Sequence, residues 1–350
     1  MLRPSQFREL VSGRQKGWRA ALLRAALRVA QIPYTLAVRW RNFRYDTQRS
    51  AVHRLSVPVV SVGNLTLGGT GKTPMVEWIA RWFRNRGTRV AIVSRGYGAK
   101  AGSANDEAME PQQRLPDVPH VQDPDRVAGA RRALAQFDPR VIVLDDAFQH
   151  RRLARDLDLV LLDATEPFGF GHVFPRGTLR EPLPGLRRAD LVLLSRAGML
   201  EAAARDAIRQ KVRAIAPRTA WAEVDYLPRT LRNASGHEQP PQTLAGKTVA
   251  AFCGVGNPAS FLRSLRLCGY RVIACREYAD HYRYTRADVE SLLSWADGLN
   301  AEAVLCSHKD LVKLRIDHLG SRPLWAVTIA PEFLSGQAEL EAKLAALLSE

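Results

Sequence analysis

A glycine-rich stretch, SVGNLTLGGTGKTP at 61–74, has the residue types of a phosphate-binding loop. Glycine backbone can wrap its N–H groups around a phosphate, Lys72 can neutralise the β- and γ-oxygens, and the Thr73 hydroxyl can bind Mg²⁺. The strict P-loop pattern would have glycine at the position of Thr66. The predicted nucleotide-binding residues are Thr66, Gly68, Gly69, Thr70, Gly71, Lys72 and Thr73.

Two adjacent carboxylates follow a second apolar stretch. Residues 141–144 read as a buried strand, and Asp145 and Asp146 stand at its carboxyl end, the edge where open α/β sheets bind ligands. One carboxylate can hold Mg²⁺ while the other positions the metal or the nucleophile. Gln149 and His150 lie in the same loop and are further candidates.

The elements that must position these residues alternate between strand and helix. The apolar run at 57–62 predicts a strand, and MVEWIARWFRNRG after the glycines predicts a helix whose N-terminus points at the phosphate. Further strands are predicted in 88–98, 157–171 and 189–196. The pattern favours an α/β fold, P-loop NTPase-like, with a doubly wound and mostly parallel sheet. The loops after these strands carry Arg95, Tyr97, Arg176, Arg180 and Glu181, which together favour a phosphorylated substrate.

The C-terminal third contains a glycine pattern that could be mistaken for a nicotinamide site. Residues 254–259 read GVGNPA, and Glu277 follows about twenty residues later, as in a loose dinucleotide fingerprint. The pattern is short, and proline suits the first turn of any helix, so we interpret it as a tight turn between a strand and a helix. The four cysteines form no CxxC pair and are interpreted as small core residues.

The charge is concentrated at the N-terminus. The net charge is +16, and residues 1–54 contain twelve basic and two acidic residues, which gives +10 of that total. Within them, 18–40 has helical periodicity with one apolar and one basic side, and Arg24 and Arg28 argue against a membrane-spanning helix. Aromatic residues among arginines favour a helix lying on an anionic membrane. The alternatives are a helix packed on its own domain with a solvated basic side, and single-stranded nucleic acid binding, which no recognisable RNA-binding module supports.

Taken together, the motifs resemble one family. SVGNLTLGGTGKTP, SRGYG, NDE at 105–107, VIVLDDAFQHRRL, FPRGTLREPL, CGVGNP and YADHYRYT are similar to the ordered motifs of tetraacyldisaccharide 4'-kinase, the lipid A 4'-kinase of Gram-negative bacteria. The resemblance implies transfer of the γ-phosphate of ATP, with Mg²⁺, to the 4'-hydroxyl of tetraacyldisaccharide 1-phosphate, giving lipid IVA. It also implies work at the cytoplasmic face of the inner membrane, with no nucleic acid and no obligatory protein partner.

The resemblance also implies a domain plan. A membrane-associating helix is expected at 1–45, a P-loop kinase domain at 46–219, and a smaller α/β domain with a two-stranded linker at 220–350. The family typically has Thr-Thr-Glu-Lys-Asp where this chain has CSHKD at 306–310, so His308 replaces an acid.

The resemblance further assigns roles to individual residues. Asp106 would take the proton of the sugar hydroxyl, with His281 supporting it; a carboxylate partnered by histidine can do this chemistry. The full set implied is catalytic Asp106, His281, Lys72 and Asp146; metal-binding Thr73, Asp145, Asp146 and Glu107; and substrate-binding Asn64, Arg95, Gln149, His150, Arg180 and Glu181.

Two other function classes remain open from the sequence. A membrane-associated P-loop ATPase that switches a protein partner would need only the basic helix and the P-loop. A P-loop kinase for a soluble metabolite would leave the N-terminal helix without a purpose.

Overall fold

The computed structural model describes residues 4–96, 112–280 and 282–348, and the chain divides into two compact units. The first unit takes the described residues among 1–96, 115–225 and 333–350, and the second takes those among 97–114 and 226–332. Two unit boundaries, 225/226 and 332/333, fall within strands, so each of these strands continues from one unit into the other along the chain. Residues from Phe333 onward belong to the first unit, whereas the predicted second domain ran to the end of the chain.

The first unit contains a parallel sheet whose strand order reverses direction at β1. Pairing along the sheet runs β7-β6-β5-β1-β4-β2-β3, and every pair in that series is parallel. The strands are β1 (Val59–Asn64), β2 (Val90–Ser94), β3 (His120–Gln122), β4 (Val141–Asp145), β5 (Leu157–Asp163), β6 (Leu191–Ser195) and β7 (Ala220–Arg232). Because β1 lies between β4 and β5, the crevice beyond its carboxyl end is the topological switch point where such sheets bind ligands.

Two N-terminal helices precede the sheet. They are α1 (Pro4–Ser12) and α2 (Trp18–Asp46). Pro33 lies inside α2, within the stretch 18–40 for which the sequence predicts helical periodicity. No helix in the described ranges is both long and apolar enough to span a membrane.

The remaining helices of the first unit cover the sheet. They are α3 (Lys72–Arg84), α4 (Arg126–Phe137), α5 (Ala202–Ile215) and, from the chain's end, the helix Gln337–Ala346. The predicted strands and the helix after the glycines are confirmed. Strands β1, β2, β4, β5 and β6 are buried throughout, which explains why they read as continuous apolar runs instead of alternating ones.

The second unit has its own strands and helices. Its strands are β8 (Glu238–Gln239), β9 (Thr248–Cys253), β10 (Arg271–Glu277), β11 (Ala303–Ser307), β12 (His318–Leu319) and most of β13 (Arg322–Ser335). Strands β10, β9, β11 and β13 pair in that order and are parallel. The helices are α6 (Pro258–Leu267), α7 (Arg286–Asp297) and α8 (His308–Leu314), so the helix Gln337–Ala346 is α9.

The GVGNPA pattern forms the predicted tight turn between β9 and α6. Asn257 caps α6 by accepting a hydrogen bond from the Ser260 N–H at 3.0 Å. The Gly254 N–H donates to Asp310 Oδ2 at 2.9 Å. Asp310 belongs to the CSHKD segment and also accepts from the Tyr284 hydroxyl at 3.0 Å, so this retained acid holds the turn together.

Candidate active site

The glycine-rich loop connects β1 to α3 with a backbone that favours glycine at two positions. Gly68 has φ +115°, and Gly71, the residue before α3, has φ +83°. A side chain is strained in this left-handed region, so the glycines are needed for the conformation of the loop. Lys72 and Thr73 begin α3, whose N-terminus therefore faces the loop with its unpaired N–H groups.

Asp146, directly after β4, contacts two cations at this loop. Lys72 Nζ lies 3.5 Å from Asp146 Oδ1, and Arg180 Nη1 donates to Oδ1 and Oδ2 at 2.8 and 2.9 Å. Burial acts to raise the pKa of Asp146, but the charges of Lys72 and Arg180 outweigh it and lower the pKa to about 2. Asp146 is therefore ionised at neutral pH and holds both cations beside the loop.

Arg180 reaches Asp146 because its own segment pairs with the loop. The Leu67 N–H donates to the Thr178 carbonyl at 2.7 Å, and the Arg180 N–H donates to the Leu65 carbonyl at 2.7 Å. The FPRGTLREPL motif is thus a second wall of the phosphate-binding loop. These backbone bonds fix Arg180 without the help of its side chain.

Arg196, which we did not predict from the sequence, supports the phosphate-binding loop through a backbone carbonyl. It follows β6, is buried, donates to Gly69 O at 2.8 Å and forms an ion pair with Asp163, the last residue of β5. A donor fixed on the Gly69 carbonyl orients the adjoining peptide groups. A sequence signal for the ion pair was available, because LLD and LLSR place an acid and a base at the carboxyl ends of two predicted strands.

Glu181 lies at the centre of a buried polar cluster. It is 0% exposed, and its carboxylate accepts from Arg188 Nη2 at 2.9 and 3.0 Å, from Asn42 Nδ2 at 2.9 Å and from Gln149 Nε2 at 3.1 Å. Gln149 Nε2 also donates to the Asn64 carbonyl at 3.0 Å. The cluster therefore brings together three predicted substrate-binding residues, but in this structure Glu181 positions its neighbours and is not exposed to a substrate.

Three other predicted residues lie in different surroundings. Arg95 follows β2 with an exposed side chain. His150 is half-buried; burial first, and then the charges of nearby arginines including Arg126, lower its pKa to about 4, so it is neutral at pH 7. Arg176 donates to the Val11 carbonyl of α1 at 2.9 Å, so it anchors a helix instead of facing a phosphorylated ligand.

Asp106, Glu107, His281 and Tyr97 lie outside the described residues. Asp145, by contrast, ends β4 as predicted and is 8% exposed, and its carbonyl accepts from Arg126 Nη2 at 3.1 Å.

The oxygen-bearing groups at the loop fit a magnesium–nucleotide complex. Thr73, Asp145 and Asp146 offer hydroxyl and carboxylate oxygens, the ligands that Mg²⁺ prefers. The Thr70 hydroxyl and Asn64 Oδ1 are buried without a hydrogen-bond partner among the described residues, so the loop has polar atoms for a ligand or water to satisfy. Within 4–96, 112–280 and 282–348, no three His, Cys, Asp or Glu side chains gather as a metal site; Mg²⁺ carried by phosphates needs only one or two carboxylates.

These features define a P-loop nucleotide-binding protein. The glycine loop lies at the switch point of a parallel sheet, a lysine begins the next helix, and an aspartate lies at the end of the adjacent strand. Comparison with known proteins narrows this class. The model of the LpxK family, tetraacyldisaccharide-1-P 4'-kinase, matches residues 23–349, and the chain belongs to this family.

Individual relatives agree with this assignment. The tetraacyldisaccharide 4'-kinase of Anaeromyxobacter sp. (strain K) is 39% identical over 94% of this chain and 92% of the relative. That of Geobacter sulfurreducens is 38% identical over 97% of both chains. Among solved structures, LpxK from Aquifex aeolicus in complex with ATP superposes with a TM-score of 0.74 at 29% identity, covering 93% of this chain and 99% of that one.

Proposed function

We propose that this chain transfers the γ-phosphate of ATP to the 4'-hydroxyl of tetraacyldisaccharide 1-phosphate and so makes lipid IVA. The observation that carries the proposal is the convergence of Lys72, Asp146 and Arg180 at the glycine loop of a chain in this kinase family. The residues match the needs of phosphoryl transfer, in which catalysis is mainly positioning and charge stabilisation.

Each residue of the proposed site has a distinct task. Lys72 and Arg180 are held by Asp146 beside the loop, ready to neutralise charge on the transferred phosphate. Thr73, Asp145 and Asp146 would hold Mg²⁺, with Glu107 as a further candidate. These residues would hold Mg²⁺ beside the phosphates, where its positive charge would offset theirs. Asp106, supported by His281, remains our candidate for the group that takes the proton of the sugar hydroxyl.

The N-terminal helix supports a lipid substrate. Seven large apolar residues of α2 recur at spacings of three, four or seven, and each is between 49% and 72% exposed: Trp18, Leu22, Val29, Ile32, Leu36, Trp40 and Phe43. We call them the apolar stripe. Their spacing puts them on one side of the helix.

The opposite side of α2 faces the protein, with Ala20 and Val38 buried and polar side chains bonded to the first unit. The Tyr34 hydroxyl donates to the Arg180 carbonyl at 3.2 Å, and Arg24 Nη1 donates to the Gln15 carbonyl at 2.8 Å. Asn42 reaches Glu181 in the same way. The alternative was a helix that packs its apolar stripe on its own domain. The exposure of the stripe disagrees with that alternative. An exposed apolar stripe bordered by arginines suits the headgroup layer of an anionic membrane, so we place the reaction at the cytoplasmic face of the inner membrane.

The first experiment is an assay with γ-labelled ATP, Mg²⁺ and detergent-dispersed tetraacyldisaccharide 1-phosphate. The wild type should label the lipid, and Lys72→Ala and Asp106→Ala should each lose nearly all labelling. Labelling that survives in Asp106→Ala would assign the base elsewhere. Phosphate released to water without a labelled lipid would favour the ATPase switch instead.

A further inference from the structure

Helix α1 lies before residue 23, where the family match begins, yet it is anchored on the phosphate-binding side of the first unit. Leu10 and Val11 are 1% and 2% exposed, and Arg176 Nη1 donates to the Val11 carbonyl at 2.9 Å. The Phe7 ring lies 6.2 Å, centroid to centroid, from that of Phe174 in the FPRGTLREPL motif. This helix is therefore held to the same segment that forms the second wall of the loop.

The anchoring brings the Arg8 guanidinium against the phosphate-binding loop. A Cβ atom added to Gly68 would stand 2.6 Å from Arg8 Nη2, closer than Cβ atoms approach any group. The Arg8 guanidinium therefore lies in close contact with the backbone of the loop at Gly68. Gly68 lies four residues before Lys72, within the backbone that surrounds the phosphates in a P-loop.

The charges around Arg8 favour an anionic ligand. The loop N–H groups and the N-terminus of α3 carry partial positive charge, and Arg8 adds a full one. Glu166 is an acidic neighbour of Arg8, and its carboxylate also accepts from the Thr178 hydroxyl at 3.0 Å. Burial raises the pKa of Glu166 to about 7, against the opposing effects of Thr178 and Arg8, so Glu166 carries only part of a charge at neutral pH. A phosphate bound in the loop would meet the positive charge of the loop N–H groups, of the α3 N-terminus and of Arg8.

We infer that Arg8 donates hydrogen bonds to the terminal phosphate of the nucleotide bound in the loop. Arg8 would thus supply, from within the same chain, the charge that an arginine finger supplies in other P-loop enzymes. The inference rests on the proposed use of ATP but not on the identity of the acceptor. It makes α1 part of the nucleotide site, although α1 precedes the family match.

The test measures nucleotide affinity in the full-length protein without lipid. Calorimetry with the β,γ-imido analogue of ATP and with ADP would compare wild type, Arg8→Ala, Arg8→Lys and Arg14→Ala. Arg14 is an exposed arginine of the same N-terminal region and serves as the matched control for loss of one charge. We expect Arg8→Ala to weaken triphosphate binding at least tenfold, with ADP affinity within about twofold of wild type. Arg14→Ala should change neither affinity, and Arg8→Lys should keep part of the preference for triphosphate.

Other outcomes would overturn the inference. Equal losses for triphosphate and ADP in Arg8→Ala would mean that Arg8 only holds α1 on the loop. Unchanged affinities would mean that the guanidinium does not reach the nucleotide. Because the measurement needs no lipid, a wild type that fails to phosphorylate the lipid would contradict the proposed function and leave the test of Arg8 intact.

Discussion

Asp146 occupies a backbone conformation that few residues adopt. Its φ is +53°, and its N–H donates to the Val62 carbonyl of β1 at 2.9 Å. Aspartate and asparagine are the non-glycine residues best suited to this region. The bend turns the carboxylate toward Lys72 and Arg180, so backbone and charge both select aspartate at this position.

Substitution of Asp146 separates these two requirements. Asp146→Asn and Asp146→Ala should each lower kcat at least 100-fold, because both lose the charge that orders the cations. Asp146→Ala should also be less stable than Asp146→Asn by about 1 kcal/mol, since alanine tolerates the left-handed region poorly. Urea unfolding of the two variants measures the difference; equal stabilities would show that the conformation places no demand on the side chain.

His150 makes stability depend on pH. Its pKa falls from an ordinary value of 6.5 to about 4, so the unfolded chain binds a proton at a pH where the folded chain does not. The free energy of unfolding therefore falls as pH decreases from 6.5 to 4, and His150 has no effect on its pH dependence above pH 6.5.

His150→Gln removes this group and should flatten the dependence. Urea midpoints at pH 7.5 and 4.5 should differ less in the variant than in the wild type, since all other titrating groups are common to both. Parallel losses in the two proteins would assign the acid sensitivity to other residues.

The ends of strands β5 and β6 support the phosphate-binding loop through Asp163 and Arg196. Arg196→Ala leaves a buried carboxylate without its main partner and should cost about 3–5 kcal/mol of stability. Nucleotide affinity should fall about tenfold as well, because Gly69 O loses its donor.

The double variant Arg196→Met, Asp163→Leu distinguishes the two effects. It should regain most of the stability, because no unpaired charge is left buried, but none of the nucleotide affinity. Full recovery of affinity would mean that the Gly69 contact is dispensable.

Helix α2 has its apolar side outward, and this orientation can be tested directly. Changing Leu36 and Trp40 together to serine should weaken binding to anionic vesicles at least tenfold and leave the unfolding midpoint unchanged, because both side chains are already exposed. Val38→Ser, on the buried side, is the matched control and should lower stability instead. Vesicle sedimentation and thermal unfolding provide the two measurements; a stability loss in the Leu36, Trp40 variant would indicate that the stripe packs on protein.

Strands and the phosphate loop could be predicted because their signals are local. Buried parallel strands read as short apolar runs, and the loop needs glycine, lysine and threonine in sequence. The contacts of Arg196 with the Gly69 carbonyl and of Arg8 with Gly68 could not be predicted, because each joins residues more than 50 positions apart in sequence. The role of Arg176 was misread for the same reason: only the fold shows that its partner is Val11.

The net charge of +16 on the whole molecule should strengthen its binding to anionic membranes. Attraction between exposed charges is screened over about 10 Å at 0.1 M salt, so binding to anionic vesicles should fall several-fold from about 50 to 500 mM salt. Binding through the apolar stripe should remain at high salt, because apolar burial is not screened. Vesicles without anionic lipid provide the control and should show little dependence on salt.

The two different sides of α2 should determine how the reaction rate depends on acceptor concentration. One side carries the apolar stripe, and the other is bonded to the segment of Arg180 and Glu181. With the stripe in the bilayer, the phosphate-binding edge stays at a set height above it, and enzyme and acceptor meet by lateral diffusion. The rate should then follow the mole fraction of acceptor in the surface and not its concentration in the whole solution. Diluting the acceptor with inert detergent at constant total amount should therefore slow the reaction.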